Sequence, residues 1–132
     1  MARKTNVAVA PPPVSSARDL EPLFAPQGIA VVGASRTPGS VGNAIVSNLI
    51  LGGYNGIVYP VNPKARSILG NRCVTSVSAI DGDLDMAVII LPAPLVEKVV
   101  TECADRGVRH MVVISAGFKE VGGDGVVREK RL

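Results

Sequence analysis

A glycine-rich segment, Gly33 to Gly42 (GASRTPGSVG), follows a short apolar run and precedes a stretch with helical periodicity. Its glycines at 33, 39 and 42 allow the backbone to turn tightly and to approach a ligand closely. The N–H groups and the positive dipole end of the following helix would face this loop, which suits a phosphate. Because the spacing is not GxGxxG, the alternative is a turn that only lets the helix pack closely on the strand.

Lys64 follows Asn62 and Pro63 at the end of a second apolar run. At this point NAD sites place an acidic residue that binds the ribose hydroxyls. The sequence contains no Asp or Glu from residue 22 to residue 80, which disfavours NAD. A lysine suits a phosphorylated ribose, which both NADP and coenzyme A (CoA) carry, so both ligands stay open. The alternative is an ordinary solvated lysine after a turn.

Two later apolar runs are also followed by small or cyclic residues. Pro92, Ala93 and Pro94 follow one run, and the other ends in Ser115, Ala116 and Gly117. Ligands of open α/β sheets bind beyond the carboxyl ends of the strands. We therefore expect both segments to border the ligand that the glycine-rich loop contacts.

A parallel sheet would bring these segments to one edge. The apolar runs are continuous rather than alternating, which is typical of strands covered on both faces. The pattern predicts strands at 29–32, 57–61, near Cys73, at 86–91 and at 110–115, helices at 41–51 and from Pro94 to about Arg106, and a helical turn at 76–80. This order predicts an α/β fold: one Rossmann-like domain with a doubly wound parallel sheet of about five strands.

Composition divides the chain into three parts. Residues 1–19 include three consecutive prolines, Pro11 to Pro13, and are expected to form a disordered, Pro-rich arm. Residues 20–125 are expected to form the Rossmann-like domain, and the charged residues 126–132 to begin a helix.

Four segments, in this order, resemble the CoA-binding domain of NDP-forming acyl-CoA synthetases. They are GASRTPGSVG (33–42), YPVNPK (59–64), LPAP (91–94) and VISAGFKE (113–120). This family includes ADP-forming acetyl-CoA synthetase and the succinyl-CoA synthetase alpha subunit, and some protein lysine acetyltransferases carry a similar module. The resemblance runs from about residue 20 to residue 125 and implies that the ligand is CoA or an acyl-CoA.

The resemblance also implies which residues contact this ligand. The first loop would contact the CoA phosphates, the lysine after the second strand would contact the adenosine phosphate, and the last turn would lie near the pantetheine arm. The expected CoA-binding residues are Gly33, Ser35, Arg36, Thr37, Pro38, Gly39, Asn62, Lys64, Pro92, Pro94, Ile114, Ser115, Ala116 and Gly117. No catalytic residue and no metal ligand is expected.

The single histidine, His110, does not match the phosphohistidine that this family carries in a later domain. We therefore expect the chain to supply CoA binding to an acid–thiol ligase, to be inactive alone, and to need downstream ligase domains or a partner subunit. The alternatives are a stand-alone or regulatory CoA- or nucleotide-binding module, such as the synthetase-like part of a protein lysine acetyltransferase, and an NADP-binding domain. A homo-oligomer is a further expectation.

Composition disfavours several other classes of partner. The net charge is only +3 and aromatic residues make up 3%, which disfavours nucleic acid. No apolar run is long enough for a signal peptide or a membrane span, and Cys73 and Cys103 have the character of reduced structural thiols, so a cytoplasmic protein is expected. The alternating Asp81, Asp83 and Asp85 lack the Gly and Glu of a calcium loop and are expected to form a solvated turn.

Overall fold

The computed structural model describes residues 20–132, so the expected arm at 1–19 lies outside the described residues. In chain order the elements are α1 (Glu21–Phe24), β1 (Gly28–Val32), α2 (Val41–Leu51), β2 (Ile57–Val61), β3 (Ser67–Ile68), β4 (Asn71–Arg72), β5 (Met86–Ile89), α3 (Ala93–Asp105), β6 (His110–Val113) and α4 (Asp124–Arg131). Short 3-10 turns lie at Val77–Ala79 and Lys119–Val121.

The main sheet is parallel and has the order β2-β1-β5-β6. Its register pairs Gly28 with Ile57 and Ile29 with Met86, and Met86 in turn pairs with His110. Since all four strands run in one direction, their carboxyl ends lie at one edge of the sheet. The α/β, Rossmann-like, single-domain architecture expected from the sequence is confirmed.

The central strand β1 is buried along its whole length because helices cover both faces of the sheet. Ile29 and Val31 pack in the cluster that contains Val46 of α2. Ala30 and Val32 pack in the opposite cluster, which contains residues of α3. A strand covered on both faces has no polar side, which explains the continuous apolar run and confirms the doubly wound arrangement.

The segment near Cys73 differs in detail from the expected third strand. β3 and β4 form a separate antiparallel hairpin, and the chain then meets β2 through a single parallel bridge between Val74 and Val61. The Val74 amide donates to the Pro60 carbonyl, and its own carbonyl accepts from the Asn62 amide. Because Pro60 has no N–H, the outer edge of β2 lacks the next donor, so the fifth position of the sheet holds a bridge instead of a strand.

The last helix, α4, begins at Asp124, two residues before the charged end at 126–132. Its Arg131 lies 3.7 Å from Glu97 of α3 in a salt bridge.

No helix in the described part of the chain has the length and apolar character that crossing a membrane requires.

Candidate functional site

A cleft of about 660 Å³ opens at the carboxyl edge of the sheet, between one face of α3 and the loops that follow β1, β2 and β5. Small-molecule pockets commonly enclose about 300–1,000 Å³. Four of the residues expected from the sequence line this cleft: Gly33, Ser35, Asn62 and Lys64. The structure therefore brings the ends of β1 and β2 together in one concave site.

The glycines of the first loop have two different tasks. Gly33 adopts φ +89°, and a Cβ there would meet the carbonyl of Ile90. A Cβ on Gly42 would meet the carbonyl of Gly33. Gly39 also has a positive φ, +82°, but nothing lies within 4 Å of its Cβ position. Gly33 and Gly42 thus permit close packing of loop, strand and helix, whereas Gly39 only shapes the exposed tip.

Side-chain hydrogen bonds hold this loop in place. The Ser35 hydroxyl accepts from the Thr37 amide at 3.0 Å, and the Asn43 side-chain amide donates to the Ser35 carbonyl at 2.9 Å. Ser40 donates to the Thr37 carbonyl at 2.8 Å and caps α2 by accepting from the Asn43 amide at 3.3 Å. The loop is consequently preorganised, with the exposed residues Arg36, Thr37, Pro38 and Gly39 at its tip.

The N-terminus of α2 completes the first loop. Val41 and Gly42 are its first residues, and N–H groups at these positions have no acceptor within a helix. The first turn contains no acidic side chain. The positive end of the helix dipole therefore favours an anion at this loop.

Asn62 ties the second loop to the first. Its Nδ2 donates to the Ala34 carbonyl at 2.8 Å, while its Oδ1 accepts from the amides of Lys64 and Ala65 at 2.8 and 3.1 Å. This Asx-type turn is the local conformation that Asn favours before a turn. It fixes the backbone from which the exposed Lys64 side chain extends.

The opposite wall of the cleft was not expected from the sequence. It consists of Leu95, Lys98, Val99 and Glu102 of α3, together with Thr75 and Ser76. Thr75 and Ser76 follow the Val74 bridge and so occupy the carboxyl end of the position beside β2. The strand-end rule would have found these two residues, but no local pattern distinguishes the cleft-lining residues of α3 from other residues of an amphipathic helix.

Glu102 joins the two parts of this wall, α3 and the segment that contains Ser76. Its Oε1 accepts from the backbone amide of Ser78 at 2.8 Å and from the Ser78 hydroxyl at 2.7 Å. Partial burial acts to raise the pKa of Glu102, but the hydrogen bonds from Ser78 and Ser76 and the positive charge of Lys98 outweigh it, so the pKa lies below its ordinary value. The ionised carboxylate therefore holds the 76–78 segment against the helix.

The remaining expected residues lie beside the cleft rather than in its walls. The Ser115 hydroxyl donates to the carbonyl of Leu91, which lines the cleft, at 2.6 Å. Gly117 adopts φ +108°, and a Cβ at this position would lie only 3.0 Å from the Cβ of Ala93. The turn after β6 thus packs on the beginning of α3; the residues of this outer group are Pro92, Pro94, Ile114, Ser115, Ala116 and Gly117.

Glu120 has a structural task in this turn. Its carboxylate accepts from the amides of Gly117 and Phe118 at 2.6 and 3.1 Å. Hydrogen bonds from the backbone of Gly117, of Glu120 itself and of Phe118 lower its pKa. Nothing in this geometry directs the carboxylate at the cleft.

His110 and Asp85, two titratable residues outside the cleft, lie at the amino edge of the sheet. His110 starts β6 opposite Met86, at the amino edge of the sheet, away from the cleft. Asp85 accepts from the Gln27 amide at 2.6 Å. Within residues 20–132, no three His, Cys, Asp or Glu side chains form a group that could hold a metal ion.

Comparison with known proteins agrees with this geometry. Residues 27–128 match the family described as the CoA binding domain. Acetate–CoA ligase (ADP-forming) I of Archaeoglobus fulgidus is 50% identical over 113 residues, which are 86% of this chain and 16% of that protein. The alpha subunit of acetate–CoA ligase (ADP-forming) I of Pyrococcus furiosus is 45% identical over 117 residues, 86% of this chain and 25% of that protein.

A solved structure is similar over the same region. It is that of the dinucleotide forming acetyl-coenzyme A synthetase 1 of Ca. Korarchaeum cryptofilum in complex with phosphate and ADP, with a TM-score of 0.81 and 45% identity over 86% of this chain and 24% of that one. The chain thus spans a quarter or less of each of these three proteins. Since the family match covers most of the described fold, the chain belongs to the CoA-binding domain family and is a CoA-binding domain of the kind found in ADP-forming acyl-CoA synthetases.

Proposed function

We propose that this chain presents CoA to an ADP-forming acid–thiol ligase reaction, in which further domains or a partner subunit transfer the phosphoryl group. The observation that carries this proposal is the cleft, where the preorganised first loop and the Asn62-oriented Lys64 meet at the carboxyl edge of the sheet. The chain's small share of the length of the ligases it matches supports a division of labour between domains.

The order of the strands supports one orientation of CoA. Across the sheet edge lie Lys64 after β2, the first loop after β1, Pro92 and Pro94 after β5, and Ser115 after β6. CoA has the corresponding order of groups: the 3′-phosphate, the pyrophosphate and the pantetheine arm. Neighbouring strands are about 4.8 Å apart, so the four strands span about 14 Å, within reach of one extended CoA.

We assign the individual contacts from this orientation. Lys64 binds the 3′-phosphate, and the segment from Ser35 to Gly39 with the N-terminus of α2 binds the pyrophosphate. Pro92, Pro94 and the turn from Ile114 to Gly117 border the pantetheine arm. No residue in this arrangement acts as a nucleophile.

Calorimetric titration with CoA and acetyl-CoA tests the proposal, with NADP as the competing phosphorylated ligand. We expect CoA to bind, to bind more tightly than NADP, and to raise the midpoint of thermal unfolding, because a ligand of the folded state stabilises that state. Arg109→Ala, at the opposite edge of the sheet, is the matched control and should bind CoA as the wild type does. No heat and no stabilisation at millimolar CoA, or tighter binding of NADP, would refute the proposal.

Location and assembly are further proposals. The free thiols of Cys73 and Cys103 suit a reducing compartment, which supports the cytoplasm.

The edge strand β6 and the residue after it expose Val112, Val113 and Ile114 by 37, 38 and 41%, and an apolar edge is commonly covered in an assembly. Sedimentation of the purified chain tests for a homo-oligomer, and a single monomeric species over a wide concentration range would exclude one.

A further inference from the structure

A second concave surface lies next to the cleft and is rich in positive charge. It encloses about 440 Å³ and contains Lys64, Arg66, Arg72 and Cys73 in its wall; we call it the basic depression. Lys64 and Thr75 line both this surface and the cleft, so the two are continuous around the Lys64 side chain.

Within the part of the chain that the structure describes, the cations of the basic depression have no salt-bridge partner. Residues 22–80 contain no Asp or Glu. Within residues 20–132, Lys64, Arg66 and Arg72 form no salt bridge, and the salt bridge that is present joins Arg131 to Glu97. Clustered like charges repel one another and raise the local concentration of anions. The surface is therefore suited to an anionic group of a ligand.

The two arginines project from a well-anchored hairpin. Ile68 of β3 is only 1% exposed and fixes the hairpin to the core beneath α2. Ser67 pairs with Arg72, and the Cys73 amide donates to the Arg66 carbonyl at 2.9 Å, so the ladder continues beyond both strands. An anchored backbone reduces the ordering cost of binding, and a guanidinium can bind phosphate oxygens in a bidentate manner.

Arg36 of the first loop acts electrostatically on a residue of this surface. Partial burial raises the pKa of Cys73, and Arg36 partly offsets this effect, so the Arg36 guanidinium is within electrostatic range of the depression. The loop after β2 and the hairpin form the wall of the depression, so it lies at the β2 end of the sheet edge. This is the end where the proposed orientation places the adenosine part of CoA.

We propose that the basic depression is the subsite for the ribose 3′-phosphate of CoA, and that Arg66 and Arg72 bind this phosphate together with Lys64. The inference rests on the proposed function and adds two specificity-determining arginines to it. A terminal phosphate is a dianion with three exposed oxygens, whereas each phosphate of the pyrophosphate carries less charge and is linked on two sides. Three cations around one small surface match the terminal group better.

Titration of Arg66→Gln, Arg72→Gln and the double variant with CoA and with dephospho-CoA tests this assignment. Dephospho-CoA keeps the pyrophosphate and lacks the 3′-phosphate, so it separates the two sources of phosphate. We expect each substitution to weaken CoA by about tenfold, as for one charge-assisted contact, and to leave dephospho-CoA nearly unchanged. Arg109→Gln is the control for loss of one positive charge and should change neither affinity.

Two results of this titration would overturn the inference. Equal losses for CoA and dephospho-CoA would assign the arginines to the pyrophosphate, and no loss in the double variant would make them bystanders. Both arginines are exposed, so the variants should unfold at the wild-type temperature, which thermal unfolding checks.

Cys73 provides a second readout on the wild-type chain. Cys73 is a half-buried residue in the wall of the depression, whereas Cys103 is fully buried and serves as an internal reference. Adenosine 3′,5′-bisphosphate should slow alkylation of Cys73 by iodoacetamide, and AMP, which lacks the 3′-phosphate, should slow it much less. These probes contain no thiol and do not consume the reagent. Equal protection by both probes, or none, would contradict the proposed subsite.

The same measurements separate this inference from the proposed function. If wild type binds neither CoA nor acetyl-CoA, the proposed function itself is wrong. If it binds CoA and dephospho-CoA equally well, CoA binding stands and the 3′-phosphate subsite alone is refuted.

Discussion

Asn62 positions the two loops that carry the proposed phosphate contacts. Its amide group joins the Ala34 carbonyl of the first loop to the backbone amides of Lys64 and Ala65 in the second. One half-buried side chain therefore sets the distance between the loop and the lysine. The main effect of Asn62 is therefore on the positions of other residues that contact the ligand.

Lys64 is the residue for which the site makes the sharpest prediction. Lys64→Ala should weaken CoA by about tenfold while changing dephospho-CoA little, because the lost interaction is a charge-assisted bond to the 3′-phosphate. Competition titration with the two ligands measures the ratio, with Arg109→Ala as the control for charge. A ratio equal to that of the wild type would show that Lys64 contacts another part of CoA or none.

At the scale of elements, the junction of β1 and α2 depends on close backbone contact. A Cβ at Gly42 would meet the carbonyl of Gly33, so the helix sits where only glycine fits. Gly42 lies in the first turn of α2, and the N–H groups of this turn face the proposed phosphate. Stability and binding should therefore change together at this position.

Gly42→Ala should lower the free energy of unfolding by about 1–3 kcal/mol, as overpacked positions do, although Ala is the better helix former. The matched control is Asn48→Ala, at an exposed position of the same helix, which should be neutral or stabilise slightly. Urea unfolding measures both, and CoA titration should show weaker binding for Gly42→Ala alone. A Gly42→Ala variant as stable as the Asn48→Ala variant would mean that the close contact is relieved without cost.

The attachment of α3 to the 76–78 segment should depend on pH. Hydrogen bonds from Ser78 lower the pKa of Glu102, so the folded state favours the ionised carboxylate more than the unfolded state does. This stabilisation is complete above the ordinary pKa of about 4.5 and is lost as the pH falls through the lowered pKa of the folded state.

Glu102→Gln should therefore lose stability relative to wild type at pH 7 and lose less of it at acid pH. Ser78→Ala should show the same trend with a smaller amplitude, since the backbone donor remains. Asp105→Asn, on an exposed position of the same helix, is the control. Urea unfolding between pH 3 and pH 7 gives the profiles, and parallel curves for Glu102→Gln and wild type would contradict the assignment.

At the scale of the whole molecule, the sheet separates binding from the one histidine. The cleft and the basic depression lie at the carboxyl edge, while His110 begins β6 at the amino edge. At ~3.3 Å per residue, His110 is about 16 Å from Ser115 along the extended chain. No imidazole reaches across that distance to a ligand held in the cleft.

The chain alone should make no acyl-CoA. Incubation with acetate, CoA, magnesium and ATP should yield neither acetyl-CoA nor protein-bound phosphate, because phosphoryl transfer in the proposed reaction needs a nucleophile near the nucleotide. His110→Ala provides the control background. Turnover of the wild-type chain above that background would place catalysis in this domain and contradict the proposed division of labour.

The features of this protein that depend on neighbouring residues could be predicted from the sequence. Continuous apolar runs define β1 and β5, Ser40 caps α2, and Asn62 forms a turn with its own neighbours, because each feature depends on residues a few positions apart. The glycine-rich loop and the absence of acids from 22 to 80 then indicated a phosphorylated ligand. Because all four strands run in one direction, the segments that these inferences concern lie at one edge of the sheet.

Tertiary structure decided what depends on residues far apart in the chain. Gly33 must be glycine because the carbonyl of Ile90 lies against it, and Lys98 lines the cleft because α3 packs over it. The fifth strand is reduced to one bridge because Pro60 offers the edge no donor. The basic depression forms because a hairpin anchored by Ile68 folds Arg66 and Arg72 toward Lys64. In each case the partner is chosen by packing, which acts on distance in space and leaves no periodic signal in the sequence.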